Sequence, residues 1–289
     1  MRGAARHDVQ HDDGTADAPD LLIPDDRRGA WWWYGGAAVE GSKIRVLLQE
    51  FYVDPAEEIG LKFSGRVGVA TFDLSNPYAP RFTGVTTRLR AAPARYGDAV
   101  YNDATMTYLY GAEAVPDPAH PGFLLVYTRL ARVPRNHLLD QRWQYWGPTG
   151  WSTNATRSVR LSNVNYKTTA VVKRQTGGYL MLSIPEPKIL RGTTLTAAFA
   201  CTPQGPWSPR RTIAKLRDVG PYTDTVSGAV LRRVAYMAIP HPERTSAGRI
   251  LVSYNRNVYS DAGDPWAGVN AIWRKPSLYQ LRFVGVSLR

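Results

Sequence analysis

A carboxylate can give or take a proton, and a histidine does so near neutrality, so acids and histidines placed at strand starts or turns come first. Asp98 stands in Arg95-Tyr96-Gly97-Asp98-Ala99 at the start of a strand pattern. It either projects a carboxylate from the strand or caps the bend at Gly97. Glu243 is the one carboxylate of Pro240-His241-Pro242-Glu243. It suits a general acid, and equally an ion pair with Arg244 or Arg249. The prolines around His241 hold its backbone extended, where the ring could orient a hydroxyl, tune a nearby acid or bond a backbone carbonyl. Asp103 and Asp73 read as turn formers, and Glu113 as the partner of a nearby arginine.

Other chemistries are poorly served. The five histidines and the single cysteine, Cys201, show no metal-ligand spacing, which argues against a structural zinc site and a disulfide scaffold. No cofactor motif stands out. The net charge is +12, and residues 1–30 carry seven Asp against four Arg, which leaves +15 on residues 31–289. That charge is mostly arginine, spread in ones and twos, with no motif that reads nucleic acid. No apolar run approaches the roughly 18 residues of a membrane span.

The elements that must position these groups are strands. Short alternating runs bounded by Gly, Pro, Asn and Asp recur from Trp31 onward. They predict strands near Trp32–Val39, Lys43–Phe51, Arg66–Asp73 and Phe82–Arg90, then Tyr96–Tyr101, Met106–Ala112, Phe123–Leu130 and Trp143–Trp146. Further runs lie at Tyr166–Lys173, Tyr179–Ile184, Leu195–Thr202 and Arg211–Leu216, and at Arg232–Ile239, Ile250–Asn255 and Tyr279–Leu288. Helical periodicity is nearly absent. Groups of four strands over about 50–60 residues are the spacing of propeller blades; a β-sandwich is the alternative. Such a ring must join its ends, so Tyr279–Leu288 is predicted to pair with residues from the first 30.

The runs Ala131-Arg132-Val133-Pro134, Trp143-Gln144-Tyr145-Trp146-Gly147 and Gly150-Trp151-Ser152 resemble a bacterial five-bladed β-propeller family. That family was formerly of unknown function and includes endo-D-arabinanases (glycoside hydrolase family 183). Pro203-Gln204-Gly205-Pro206-Trp207-Ser208-Pro209, Pro240-His241-Pro242-Glu243 and Leu251-Val252-Ser253-Tyr254-Asn255-Arg256-Asn257 are similar to the same family. The resemblance spans about residues 31–257. It implies an all-β propeller with four complete blades, residues 31–289, preceded by a polar segment, 1–30, as the remnant of a first blade.

The resemblance also implies cleavage of a furanose polysaccharide such as cell-wall D-arabinan, which takes two carboxylates facing each other across the bond. This chain departs from the pattern: Gly36 stands where relatives often have Asp, and Asn165-Tyr166-Lys167-Thr168 lacks an acid. A carbohydrate-binding propeller without catalysis is therefore the second reading. Under the first, Asp98, Glu243 and His241 are the catalytic candidates. Under both, Trp33, Tyr34, Tyr236 and Arg95 are the binding candidates at one channel mouth. Aromatic faces there would meet sugar rings, whereas Trp207 reads as a structural turn anchor. The expected partner is a polysaccharide or oligosaccharide, with no nucleic acid, membrane span, metal or cofactor, and the expected state is a monomer. The family implies an extracellular or envelope location. The hydrophilic N-terminus shows no signal peptide, which implies a cytoplasmic one if Met1 is the true start.

Overall fold

The computed structural model describes residues 29–54, 61–87, 93–119, 124–140, 142–161, 170–185, 192–246, 248–260 and 265–287. Seventeen strands among them form four sheets, each a meander of neighbours in sequence. Blade 1 holds β1 (Ala30–Glu40), β2 (Lys43–Val53), β3 (Leu61–Asp73) and β4 (Arg81–Thr86). Blade 2 holds β5 (Arg95–Asn102), β6 (Met106–Pro116), β7 (Leu124–Pro134), β8 (Gln144–Gly147) and β9 (Gly150–Ser152). Blade 3 holds β10 (Ala170–Lys173), β11 (Tyr179–Ser183), β12 (Thr194–Ala200) and β13 (Arg211–Lys215). Blade 4 holds β14 (Gly220–Thr223), β15 (Val230–Ser246), β16 (Arg249–Ser260) and β17 (Gln280–Ser287). Together they make a propeller-like ring of four blades.

Local chemistry sets the turns. Glu40 pairs with Lys43 across a two-residue loop, and Gly41, at φ 58°, takes the left-handed conformation that such a loop requires. Asp103 accepts the amides of Thr105 and Met106 at 2.8 and 2.7 Å and so closes the β5–β6 hairpin. Asp73 does the same for Ser75 at 2.7 Å.

Alternating side chains from facing blades then interdigitate. Leu47 and Val69 of blade 1 pack against Tyr96, Leu109, Val133 and Tyr145 of blade 2. Tyr110 and Leu130 of blade 2 meet Val171, Met181 and Ala198 of blade 3, with Trp207 against this core. Leu180, Leu182 and Leu195 of blade 3 meet Ala235, Val252 and Tyr254 of blade 4. Polar bonds supplement the packing: Leu138 donates its amide to Glu40 at 2.9 Å, and Tyr110 its hydroxyl to the Pro203 carbonyl at 2.8 Å.

Three expectations need restating. Four blades are seen among the described residues; a fifth, built from residues 1–30, falls outside them apart from Gly29 and Ala30, and Ala30 opens β1 opposite Tyr52. Pairing of the last strand with that segment lies outside the described residues too, and β17 is bonded to β16. A helix, α1 (Pro265–Arg274), is present where helical periodicity is nearly absent. Proline suits its first turn, and Ala267 and Ala271, four apart on one face, pack with Leu231 and Val258. No described helix is long and apolar enough to cross a membrane.

Candidate functional site

The strands β1, β5 and β15 each change register at a bulge, between Tyr34 and Ala37, Tyr96 and Ala99, and Tyr236 and Ile239. A bulge bends its strand and re-aims a side chain. In β5 the re-aimed residue is Asp98. Gly97 precedes it at φ 111°, and a Cβ on Gly97 would stand 2.5 Å from Leu47. A Cβ on Gly35 would collide with the Gly97 carbonyl oxygen. The glycines thus let β1 and β5 touch backbone to backbone, and that contact fixes where Asp98 sits.

Gln49 in β2 lies opposite Trp33 in β1 and donates Nε2–H to Asp98 Oδ1 at 2.7 Å. Trp33 stacks edge-on to Phe51, 5.1 Å between centroids, and Phe51 meets Phe63 at 5.8 Å. The Arg95 guanidinium lies 5.3 Å from the Phe63 centroid. From the other side of the ring, Tyr236 meets Trp33 at 6.3 Å and 82°. Burial, followed by the neighbouring Tyr279, pushes the Tyr236 phenol far above its usual range, so it stays protonated. The structure therefore brings Trp33, Arg95, Asp98 and Tyr236 into one connected group.

His241 and Glu243 form a second group on blade 4. His241 shares a 2.9 Å hydrogen bond with Ser253 Oγ through Nε2, and its Nδ1 lies 3.3 Å from Glu243 Oε1. The His241 ring thus lies between the Ser253 hydroxyl and the Glu243 carboxylate. Asn255, opposite Tyr236, and Ser253 sit two residues apart on one face of β16. His241 thus shares the sheet face of Tyr236. Tyr34 points away from Trp33 across the alternation and is 39% exposed; no contact joins it to the other candidates.

Of the remaining acids, Glu113 meets Arg129 at 2.9 Å and Arg160 at 2.8 Å. Glu50 is fully buried and pairs with Arg66, whose guanidinium lies over Trp32. Both are bound up in ion pairs with arginines. Position 36 has no room for an acid: a Cβ there would lie 2.7 Å from the Val100 amide nitrogen. The segment 165–168 lies outside the described residues.

Gln49, Phe51 and Phe63 are members of the group that pattern reading does not single out. The available signal was Gln49 itself, an amide that directly follows the apolar run Val46-Leu47-Leu48. Among the described residues no group of three or more His, Cys, Asp or Glu is placed to hold a metal.

A family model described as a domain of unknown function (DUF5005) matches residues 6–286. No curated protein matches the sequence. A candidate hydrolase from Bacteroides ovatus shares the fold with a TM-score of 0.60 at 18% identity, over 90% of this chain and 61% of that one. An exo-β-1,3-galactanase from Clostridium thermocellum aligns at 12% identity with a TM-score of 0.38, over 87% of this chain and 58% of that one. The chain spans less than two thirds of the length of either protein.

Proposed function

The chain belongs to the DUF5005 family, and we propose that it is a glycoside hydrolase-like propeller that binds a furanose polysaccharide such as cell-wall D-arabinan without cleaving it. The observation that carries this reading is Asp98, raised on a bulge and tied at 2.7 Å to Gln49, the residue opposite Trp33. Trp33 and Tyr236 supply aromatic edges and faces, and Asp98, Gln49 and Arg95 supply polar groups that fix a sugar's orientation. This is the usual make-up of a small-ligand site. Cleavage needs a second carboxylate across the bond. Gly36 has no space to provide one, and the described ion pairs occupy Glu50 and Glu113.

A hydrolytic reading is favoured by one observation, the His241–Glu243 pair at 3.3 Å. There Glu243 would be the general acid, with His241 as its positioning residue and Asp98 as the second carboxylate. Titration of arabinan oligosaccharides against the wild type and Trp33→Ala tests the shared part. Saturable binding that weakens at least about tenfold in the variant supports it; equal affinity overturns it. Release of reducing ends from arabinan, abolished by Asp98→Asn, would replace the binding reading with the hydrolytic one.

A further inference from the structure

Arg174 and Arg211 both set their guanidinium groups against one ring, that of Phe199, at 5.1 and 4.8 Å from its centroid. Arg174 follows β10, Phe199 lies in β12 and Arg211 opens β13, so three strands of blade 3 converge there. With Ser208 and Pro209 they line a cleft of about 440 Å³.

The walls are held by the backbone. Arg174 donates its amide to the Gly178 carbonyl at 2.9 Å. Phe199 donates its amide to Ser208 Oγ at 3.0 Å, and that hydroxyl donates to the Pro209 carbonyl at 3.1 Å.

The charge in this cleft is unbalanced. Elsewhere Arg45, Arg66, Arg129, Arg160, Arg256 and Arg274 each meet an Asp or Glu. Among the described residues neither Arg174 nor Arg211 has a carboxylate partner. The Arg174 Nε is buried and meets no acceptor. Burying part of a cation without an acceptor is costly, and a bound anion would remove that cost.

We propose that the cleft over Phe199 binds an oxyanion, a carboxylate, sulfate or phosphate group, between Arg174 and Arg211. Guanidinium forks match such groups by paired hydrogen bonds. Phe199 acts as the platform that holds the forks, because its ring is already engaged by two cations and is not left bare to stack a base or sugar. The site shares no residue with the Trp33–Asp98 group and stands independently of the carbohydrate reading.

The test is calorimetric titration of the full chain with sodium sulfate, sodium phosphate and a galacturonate oligosaccharide. Saturable binding of at least one probe is expected, weakened about tenfold or more by Arg174→Gln and by Arg211→Gln. Arg174→Lys keeps the charge but loses the fork, and it should fall between wild type and Arg174→Gln. Lys215→Gln, at the far end of β13, should bind as wild type. Circular dichroism of each variant separates lost binding from lost fold; where Arg174→Gln does not fold, Arg174→Lys and Arg211→Gln carry the test. Tighter binding of the oligosaccharide than of sulfate and phosphate assigns the anion to an acidic glycan; the reverse assigns a free ion. No saturable binding of any probe, or an equal loss in Lys215→Gln, overturns the proposal.

Discussion

Gln49 on blade 1 donates a 2.7 Å hydrogen bond to Asp98 on blade 2, so one polar contact both joins two blades and orients the candidate site's carboxylate. Gln49→Ala removes a donor from Asp98 in a largely buried setting and should cost about 1–3 kcal/mol, read from urea unfolding. Gln49→Glu places two carboxylates together. It should destabilise the fold more at pH 7 than at pH 4, where protonation relieves the repulsion. A variant equally stable at both pH values would contradict this contact.

Trp33→Ala deletes the edge-to-face pairs with Phe51 and Tyr236. Such pairs contribute about 0.5–1.5 kcal/mol each beyond the area that they bury. The expected result is a lowered melting temperature together with loss of sugar affinity. Trp33→Phe should keep much of both, which separates ring contact from mere volume.

Gly97→Ala tests the bulge. Its φ of 111° and the 2.5 Å approach of its missing Cβ to Leu47 leave no accommodation without backbone movement. A loss of about 3 kcal/mol or more is expected, measured by denaturant midpoint. A Gly97→Ala protein as stable as wild type would mean that the bulge geometry is not required.

Glu113 gives a pH dependence. Burial alone would raise its carboxyl, but hydrogen bonds and charge from Arg160 and Arg129 outweigh that and hold it at about 2, below the usual 4.5. A depressed folded-state value contributes stability that is complete above the unfolded value and is lost as pH falls through the folded one. Unfolding free energy should therefore decline from about pH 4.5 down to pH 2. Glu113→Gln should flatten part of that slope and cost stability at pH 7, as followed by thermal unfolding across the range.

Strand placement was largely legible because alternation and turn residues act locally: β1, β2, β5 and β11 lie where their patterns predict. Two strands escaped notice. Residues Gly220–Thr223 contain a proline, and Gly150–Ser152 spans three residues; both are too short for alternation to emerge. Helix α1 escaped because its apolar contacts rest on two alanines and an isoleucine among exposed tryptophans. Asp98 was visible as an acid at a glycine bend. Gln49, Phe51 and Phe63 were not, because cross-strand register, a tertiary property, places them beside Trp33. Gly36 looked like a lost acid; in the structure it is a packing requirement of β1 on β5.

The meander order of every sheet bears on how the chain acquires its shape. Each strand pairs with a neighbour in sequence, so each blade can assemble while the chain that follows it is still unstructured. The Trp33–Tyr236 contact joins the first described sheet to the last and carries a large loop-closure entropy, so it is expected to form after the sheets themselves. An interaction made that late is expected to be unformed in the folding transition state. Its removal should leave the refolding rate almost unchanged and accelerate unfolding, so the kinetic lifetime of the ring would rest on the aromatic pair of the candidate site.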